Sequence, residues 1–325
     1  MANAKIVGLG HYIPEKVYDN AYMESIVDTN DEWITRRTGI KERRISGDSE
    51  YTSDMAAAAA RMAIEDAGLA PEDIDLILLA TVTPDYFTPS TACVVQGKIG
   101  AVNAMAFDYN AACSGFVVGL IIADQFIRSG AYKNVVVVAA DVLSKATDYK
   151  DRATCVLFGD AAGAAVVSAT EEKGIISFDM GAEGTSYDSI TSLAFRKDAE
   201  EIEKRISGRR ETIWMAGQAV MKFAVKAMAD SSQRALDRAG LTYDDIALVV
   251  PHQANYRIVD SAVKRMGISK DKIILTIQKY GNTSASCIPV ALHEAVASGR
   301  VKKGDKIILV GFGGGLTYAA CVLEL

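Results

Sequence analysis

The feature that most constrains the fold of this chain is an internal repeat with a period close to half its length. The segment AIEDAGLAPEDIDLI over residues 63–77 returns as ALDRAGLTYDDIALV over residues 235–249, an offset of 172 residues (residue 235 against residue 63). Three pairs of blocks align in the same order: 63–77 with 235–249, 129–130 with 298–299, and 163–170 with 318–325. Such a repeat implies a duplicated α/β unit, so we expect two packed halves over residues 1–172 and 173–325.

Apolar runs alternate with helical segments in both halves. The predicted strands are 5–10, 74–81, 105–109, 134–140, 161–168, 246–250, 272–277, 306–311 and 318–325. The predicted helices are 55–67, 91–99, 113–129 and 255–266. Strands that are apolar on both faces and alternate with helices are typical of an α/β fold with largely parallel, buried sheets. The mixed-charge segment 196–211 interrupts this pattern, and we interpret it as a solvated surface insertion.

Composition and charge exclude several classes of protein. The chain has 325 residues, a formal net charge of −6 and a pI of about 5.3, which argues against a nucleic-acid or anionic-membrane partner. The longest apolar runs, such as residues 116–123, are far too short to span a bilayer. The five cysteines are odd in number and scattered, without a C-x-x-C pair. They therefore favour a reducing, cytoplasmic environment and disfavour a disulfide framework or a structural zinc site.

The stretch MAFDYNAACSGFVVGLIIADQFIRSG over residues 105–130 predicts a strand, a turn and a helix of about four turns, with Cys113 at the joint. The neighbours of this cysteine are all small, so a substrate could approach the sulfur closely: Ala111, Ala112, Ser114 and Gly115. The N-terminus of a helix should also favour the thiolate over the thiol. Buried structural cysteines are nevertheless common, and this stretch alone leaves a nucleophile and a core residue equally open.

The repeat and the predicted strand ends bring two further polar residues towards Cys113. Adding the offset of 169 residues between the Ser-Gly pairs (residue 298 against residue 129) leads from Cys113 to Asn282, which also follows an apolar run. His252 follows another predicted buried strand. Ligand sites collect at such strand ends, so these residues form a plausible nucleophile, acid–base and hydrogen-bonding set. We interpret the other two histidines, His11 and His293, as structural or surface residues.

A glycine run, GFGGGL, occupies residues 311–316 at the end of a predicted strand in the second half. Its bare backbone N–H groups could form an oxyanion hole beside Cys113. A phosphate-binding loop is excluded because no G-K-[ST] sequence follows the glycines.

Four motifs occur in a fixed order along the chain: AACSG around Cys113, PHQAN at 251–255, GNTSA at 281–285 and FGGG at 312–315. DTNDEWI and RTGI near the N-terminus, and FGDAAGA from Phe158, accompany them. Together they resemble the β-ketoacyl-acyl carrier protein synthase III family over essentially the whole chain. Members of that family are condensing enzymes that initiate type II fatty-acid synthesis. The resemblance implies an acyltransferase with a thiolase-like α/β fold, in which two duplicated βαβ-type halves form a layered αβαβα arrangement.

The resemblance also implies a mechanism. Cys113 would attack an acyl-CoA thioester while the N–H groups of Cys113 and Gly314 hold the oxyanion. His252 and Asn282 would then donate hydrogen bonds to malonyl-acyl carrier protein and stabilise the enolate formed as CO₂ leaves. Attack of this carbanion on acyl-Cys113 would give a β-ketoacyl-acyl carrier protein. This mechanism requires no metal or redox cofactor, consistent with the absence of clustered ligand residues in the sequence. Acyl-CoA and malonyl-acyl carrier protein are substrates and not cofactors.

Binding surfaces follow from the same resemblance. The expected CoA channel involves Trp33, Arg37, Arg152, Met221, Ala254 and Asn255. An indole ring can stack on adenine, and guanidinium groups can pair with phosphates. A basic patch on and beside the amphipathic helix 255–266 is expected to dock the acidic carrier protein: Lys222, Arg257, Lys264 and Arg265. The family is homodimeric, and we expect a homodimer here.

The expected walls of the acyl pocket are Thr88, Leu143, Leu157, Phe158 and Phe312. One of them departs from the family pattern. Many relatives carry phenylalanine directly before the proline of the loop YFTPS, where it caps the acyl pocket of the partner subunit. Thr88 occupies that position here, which predicts a deeper pocket that accepts primers longer or bulkier than acetyl. Alternatively, the loop is shifted by one residue and Phe87 supplies the cap.

Other functions remain open at this stage. A synthase III-like acyltransferase of secondary metabolism, or a condensing enzyme with a CoA-linked extender, would share the Cys-His-Asn set and differ only in its substrates. A thiolase would need a second catalytic cysteine near the C-terminus, but Cys321 lies within a predicted strand. A homologue that only binds acyl-CoA or carrier protein would form no acyl adduct on Cys113.

Overall fold

The computed structural model describes residues 2–195 and 211–325. The predicted charged insertion at 196–211 therefore lies outside the described residues, apart from Glu211. The described strands are β1 (Asn3–Tyr12), β2 (Lys16–Asp19), β3 (Glu42–Ile45), β4 (Leu76–Ala80), β5 (Met105–Tyr109), β6 (Asn134–Asp141), β7 (Ala161–Thr170), β8 (Ile175–Ala182), β9 (Ile190–Thr191), β10 (Trp214–Met215), β11 (Leu248–Pro251), β12 (Lys306–Gly313) and β13 (Thr317–Glu324). The described helices are α1 (Asn20–Ile26), α2 (Asp31–Thr38), α3 (Thr52–Asp66), α4 (Thr91–Ile99), α5 (Gly115–Arg128), α6 (Arg152–Cys155), α7 (Gly217–Ala239), α8 (Tyr256–Met266), α9 (Ile277–Tyr280) and α10 (Cys287–Ala297).

Two mixed sheets form the framework. The first has the strand order β1-β7-β6-β4-β5, with β4 parallel to β5 and β6, and β7 antiparallel to β6 and β1. The second has the order β11-β12-β13-β8, and only β11 and β12 are parallel. The expectation of largely parallel sheets is therefore wrong. In the second sheet, residues 314–316 alone join β12 to β13, which is too short for the crossover that a parallel pair requires.

Helices cover both sheets and separate them. α3 and α4 pack on the outer face of the first sheet through residues such as Ala60 and Val95. α5 and α10 lie between the sheets, where Leu120 and Leu292 share one hydrophobic cluster with strands of both. α7 and α8 cover the outer face of the second sheet, where Val259 is buried. The layers thus follow the order αβαβα, and α5 is apolar on nearly all sides because both of its faces are covered.

The expected boundary between residues 172 and 173 falls between β7 and β8, which belong to different sheets. We keep it as a proposal for the division into two halves. Contacts across the boundary are close, since α10 of the second half packs on β1 and β7 of the first. None of the described helices combines the length and the apolar character needed to cross a membrane.

Every element predicted from the sequence, with one exception, agrees with a described element to within three residues at either end, whereas β8 and the long helix α7 were not predicted. The expected strand 272–277 is wrong: Ile273 makes only an isolated bridge to Val249, and α9 begins at Ile277. The buried side chain of Gln253 explains the difference. Its Oε1 accepts the backbone N–H groups of Thr276 and Ile277 at 2.8 and 3.0 Å, so neither group is available to a sheet ladder.

The contact between β1 and α3 predicts the effect of adding one methyl group. A side chain on Gly8 would overlap the backbone of Ala63 on α3 and of Ala67, the residue that follows this helix. We expect Gly8→Ala to lower the free energy of unfolding by about 1–3 kcal/mol because the core cannot relax around backbone atoms. The control is Gly97→Ala in α4, where nothing lies within 4 Å of the added atom and alanine should stabilise the helix by up to about 1 kcal/mol. Urea denaturation measures both, and equal stabilities for the two variants would contradict the packing.

Candidate active site

A cavity of about 1170 Å³ opens where the loops that follow the strands of both sheets meet. The loops after β4, β5, β6, β11 and β12 all contribute to its walls. Cys113, His252 and Asn282 line it together. The structure therefore brings the three predicted residues to one place, at the kind of strand-end edge where binding sites form in α/β proteins.

Cys113 lies at the centre of a short 3₁₀ turn, Ala112–Ser114, between β5 and α5. Ala112 has a φ of 45°, which few residues with a side chain adopt. The glycine loop reaches this turn directly, because a side chain on Gly313 would overlap the backbone nitrogen of Cys113. Only glycine permits this approach, which places the loop of the second half beside the predicted nucleophile of the first.

Hydroxyl groups hold the nucleophile turn against the glycine loop. The Ser114 hydroxyl donates to the Ala111 carbonyl at 2.7 Å and lies 3.0 Å from the Thr317 hydroxyl. Thr317 Oγ1 in turn lies 3.0 Å from the Ala111 carbonyl oxygen and 3.1 Å from that of Gly314. Gly314 lines the cavity with Cys113, so both residues of the expected oxyanion hole border the same space.

His252 follows β11, and its backbone N–H donates to the Val310 carbonyl at 2.7 Å. Its buried ring meets the Phe312 ring in a T-shaped contact with centroids 5.0 Å apart, and its Nδ1 lies 3.0 Å from the sulfur of Cys287. Burial lowers the pKa of His252 to about 3, and the backbone of Ser284 opposes this shift only in part. The imidazole is therefore neutral at physiological pH.

Backbone and side-chain hydrogen bonds fix Asn282. Its N–H donates to the Leu157 carbonyl at 2.8 Å, and its own carbonyl accepts the Gly159 N–H at 3.0 Å. Its side-chain Oδ1 accepts the Ser284 N–H at 3.0 Å. The NH₂ group thus remains as the donor of the amide, and no hydrogen bond among residues 2–195 and 211–325 uses it.

The protonation state of Cys113 differs from the expectation. The Ser284 hydroxyl lies 3.5 Å from its sulfur and favours the thiolate, as a helix N-terminus would. Protein nevertheless surrounds the side chain everywhere except at the cavity, and this burial raises the pKa of Cys113 to about 12. Desolvation outweighs the favourable dipoles, so the resting group is a thiol and the predicted thiolate is wrong.

Asp141 is a buried acid beside the site that the sequence analysis missed. Its Oδ1 accepts the hydroxyls of Thr81 and Thr83 at 3.0 and 3.1 Å and the Val82 N–H at 2.8 Å. Burial raises its pKa to about 6, against the opposing effect of these hydrogen bonds. Its charge also contributes to the raised pKa of Cys113. The only sequence signal was an aspartate that ends the apolar run of β6.

Cys287 was also missed, because scattered cysteines carry no pattern. It is the first residue of α10, five positions after Asn282, and its sulfur accepts the backbone N–H of Gln253 at 3.3 Å. All five cysteines of the chain are free thiols. Within the described ranges, no cluster of three or more His, Cys, Asp or Glu side chains is arranged to hold a metal ion.

The residues expected to bind CoA form two groups. The guanidinium groups of Arg37 and Arg152 lie 5.6 and 5.1 Å from the centre of the Trp33 ring. Ala254 lines the cavity, and Asn255 caps α8 by accepting the Arg257 N–H at 2.8 Å. Since α2, which carries Trp33, contacts α8, the two groups are neighbours. Met221, the sixth residue, is half-buried on α7. It packs against the hydrophobic cluster on the outer face of the second sheet.

The residues expected to dock the carrier protein lie on two adjacent helices. Lys222 is exposed on α7, and the other three are exposed on α8, which packs on α7. Lys264 pairs with Asp260 at 2.7 Å, and Arg265 pairs with Asp230 at 3.0 Å. Arg257 and Lys222 form no ion pair with any described residue, so these two are the available cations of the patch, and Arg257 is the one on α8.

Four of the five expected acyl-pocket residues line the cavity: Thr88, Leu143, Phe158 and Phe312. Leu157 is the exception, and its placement is corrected. It is buried in the same hydrophobic cluster as Leu143 and Phe158 but does not itself border the cavity, and its carbonyl accepts the Asn282 N–H. Phe87 also reaches the mouth of the cavity, but it is 78% exposed and its ring packs on Phe195, with centroids 4.9 Å apart.

Comparisons with known proteins agree along the chain. The family described as 3-Oxoacyl-[acyl-carrier-protein (ACP)] synthase III matches residues 107–184, and its C-terminal counterpart matches residues 236–325. A Beta-ketoacyl-[acyl-carrier-protein] synthase III of Clostridioides difficile is 53% identical over 99% of this chain and 98% of the relative. The crystal structure of 3-oxoacyl-[acyl-carrier-protein] synthase III from Aquifex aeolicus has a TM-score of 0.92 at 47% identity, covering 99% of this chain and 100% of that one.

A priming β-ketosynthase from the R1128 polyketide biosynthetic pathway is also similar, with a TM-score of 0.93. Its identity is lower, at 36%, over 100% of this chain and 96% of that one. The two solved structures establish the thiolase-like layered fold.

The buried carboxyl of Asp141 predicts a specific pH dependence of stability. Its folded-state pKa, about 6, lies above the ordinary value of 3.8. Its contribution to stability is therefore complete below about pH 4 and is lost as the pH rises through about 6. We expect the free energy of unfolding of the wild type, relative to Asp141→Asn, to fall by roughly 3 kcal/mol between about pH 4 and pH 7. Urea denaturation at several pH values measures this difference, and a constant difference would contradict the raised pKa.

Proposed function

Because the chain belongs to the 3-oxoacyl-[acyl-carrier-protein] synthase III family, we propose that it condenses an acyl-CoA primer with malonyl-acyl carrier protein and so starts a fatty-acid chain. The observation that carries this proposal is the meeting of Cys113, His252 and Asn282 on one cavity. A thiol, a neutral imidazole and an amide suit acyl transfer followed by stabilisation of an enolate.

The first half-reaction is acyl transfer from CoA. The Cys113 sulfur attacks the thioester carbonyl, the C–S bond to CoA breaks, and the proton of the thiol leaves with CoA as its free thiol. The N–H groups of Cys113 and Gly314 hold the oxyanion of the tetrahedral intermediate. The contact of Gly313 with the Cys113 backbone and the Thr317 hydrogen bonds support this role, because they keep the two donors adjacent.

The second half-reaction is decarboxylative condensation. The bond between the malonyl carboxylate and the methylene carbon breaks, CO₂ leaves, and the electron pair moves onto the thioester oxygen. His252 and Asn282 donate hydrogen bonds to that oxygen, which suits a neutral ring and an amide whose NH₂ is free. The carbanion then attacks acyl-Cys113, and the C–S bond breaks to expel a thiolate. This thiolate takes up a proton from water, as the raised pKa of Cys113 favours. Hydrogen-bond donors suffice for this chemistry, so we propose that no metal or redox cofactor takes part.

We further propose that CoA lies along Trp33 and the two arginines beside it, with its thioester end towards Ala254. Two cations within 6 Å of one indole ring would give an adenine a stacking surface and its phosphates a positive neighbourhood. The acyl chain then occupies the cavity past Cys113, whose walls include Leu143 and Phe312.

The assembly and the compartment are proposals as well. We propose a homodimer because Phe87 and Tyr86 are 78% and 58% exposed beside the cavity, and β5 is an open edge of the first sheet. We propose a reducing cytoplasm because five free thiols, one of them the exposed Cys93, are compatible with it. The lower identity to the polyketide priming enzyme favours primary fatty-acid synthesis over secondary metabolism.

Cys113→Ala tests the division of labour between the two half-reactions. We expect complete loss of acyl transfer from acyl-CoA, because the nucleophile is gone. Malonyl-acyl carrier protein should still lose CO₂ slowly, because His252 and Asn282 remain. Intact mass reports the acyl adduct, and release of labelled CO₂ reports decarboxylation. Equal loss of both activities in a variant with wild-type circular dichroism would count against this division.

Thr88→Phe tests the depth of the acyl pocket. Thr88 lines the cavity, and a benzyl group in place of its side chain should shorten the acyl pocket, either of its own subunit or, as the family resemblance implies, of the partner. We expect the variant to lose activity with medium-chain acyl-CoA about tenfold or more while it keeps activity with acetyl-CoA. Phe87→Ala is the matched control and should leave the primer profile unchanged. A wild-type enzyme that rejects every primer longer than butyryl-CoA would contradict the proposal of an open pocket. So would a Phe87→Ala variant that accepts longer acyl chains than the wild type.

Arg257→Glu tests the docking patch. Reversal of this exposed cation, which forms no ion pair with a described residue, should raise the apparent KM for malonyl-acyl carrier protein about tenfold and flatten the dependence of that KM on salt, with little effect on acyl-CoA. Lys173→Glu makes the same charge change in the exposed turn after β7, at the end of that strand remote from the cavity, and should change neither KM. Wild-type carrier-protein kinetics in Arg257→Glu would remove this residue from the docking site.

A further inference from the structure

The sulfur of Cys287 lies directly behind the ring of His252. Nδ1 of His252 and Sγ of Cys287 are 3.0 Å apart, and both residues are buried. His252 borders the cavity, whereas Cys287 does not. Nδ1 therefore faces away from the substrate space towards the start of α10, and the opposite edge of the ring, with Nε2, faces the cavity.

The available protons and lone pairs decide which of these two atoms donates the hydrogen bond. The backbone N–H of Gln253 also points at Sγ, at 3.3 Å, and an amide N–H can only donate. The sulfur thus already accepts one hydrogen bond. Burial raises the pKa of Cys287 well above its ordinary value, so the sulfur keeps its own proton. That proton has one remaining partner within reach among the described residues, the lone pair of Nδ1.

We propose that Cys287 is a positioning residue that fixes the tautomer of His252 by donating its S–H to Nδ1, which places the only ring proton on Nε2. This inference deepens the proposed function, on which its consequence for catalysis rests. Nε2–H is then the one donor of the ring: the Ser284 backbone, which raises the pKa of His252 and so accepts a ring proton, shares it with the thioester oxygen of the malonyl substrate.

The tautomer decides the sign of the interaction with the substrate. A neutral imidazole carries one proton, so the Nδ1–H tautomer would present the lone pair of Nε2 to an oxygen that gains negative charge. The same ring in the same position would then oppose decarboxylation. Acyl transfer depends on Cys113 and the oxyanion donors, so it should depend much less on the tautomer.

Nuclear magnetic resonance of ¹⁵N-histidine-labelled full-length protein tests the proposal. The chain has only three histidines, so the signal that disappears in His252→Asn is that of His252. We expect wild-type His252 to show a protonated Nε2 and an unprotonated Nδ1 near neutral pH. Cys287→Ser keeps a donor at the same place and should keep this tautomer. Cys287→Ala removes the donor and should give a mixture of the two tautomers.

Kinetics of the two half-reactions complete the test. Cys287→Ala should decarboxylate malonyl-acyl carrier protein about tenfold or more slowly, with acyl transfer from acyl-CoA within about twofold of the wild type. Cys287→Ser should restore most of the decarboxylation. The control is Cys321→Ala, which truncates another fully buried cysteine in β13 and should alter neither the tautomer nor decarboxylation.

The outcomes separate the positioning role from the function. A wild-type protein with its proton on Nδ1 overturns the proposal, and so does Cys287→Ala with the wild-type tautomer and the wild-type rate. An Nε2–H tautomer that depends on Cys287 supports it, even in a protein that does not act on malonyl-acyl carrier protein. In that last case the proposed function fails while the assignment of the tautomer stands, because the resonance signals do not depend on substrate.

Discussion

The close approach of backbones at the start of α5 is the contact on which the site depends. A side chain on Gly313 would overlap the Cys113 nitrogen, and one on Gly115 would meet Ala80 of the first sheet and Ala285 of the second half. Glycine at these positions lets the buried helix begin in contact with both halves of the duplicated fold. Strand ends that are far apart in sequence then share one cavity, which is why a residue of β12 can serve a nucleophile that follows β5.

Desolvation sets the chemical character of this cavity. It raises the pKa of Cys113 to about 12 and lowers that of His252 to about 3, so the resting pair is a thiol and a neutral imidazole. Each shift exceeds what one helix terminus or one hydrogen bond can reverse. The site therefore acts through fixed hydrogen-bond donors and needs no ion pair at rest. Such preorganised donors are effective because water is largely excluded from around them.

The α/β fold and the three central residues of the site could be predicted because repeats and apolar runs along the sequence mark their positions. The repeat places Asn282 opposite Cys113, and an apolar run places His252 at a strand end. Side chains that only support the catalytic residues produce no such pattern in the sequence. Asp141 reads as the end of a strand and Cys287 as a scattered cysteine until tertiary packing brings them beside reacting groups. The expected strand 272–277 is likewise absent because the N–H groups of Thr276 and Ile277 donate to the Gln253 side chain. Local strand propensity gives no sign of such a long-range contact.

The central claim is that one cavity holds an acyl-enzyme on Cys113 and then consumes it by condensation at His252 and Asn282. A chase experiment tests it most directly: the protein is loaded with acyl-CoA, freed of CoA, and mixed with malonyl-acyl carrier protein while intact mass follows both proteins. The wild type should lose its acyl group as the carrier protein gains the mass of a β-ketoacyl chain. A double variant, His252→Ala with Asn282→Ala, should load normally and keep its acyl group. An acyl group that leaves the wild type without appearing on the carrier protein, or that the double variant transfers as quickly, would contradict the account.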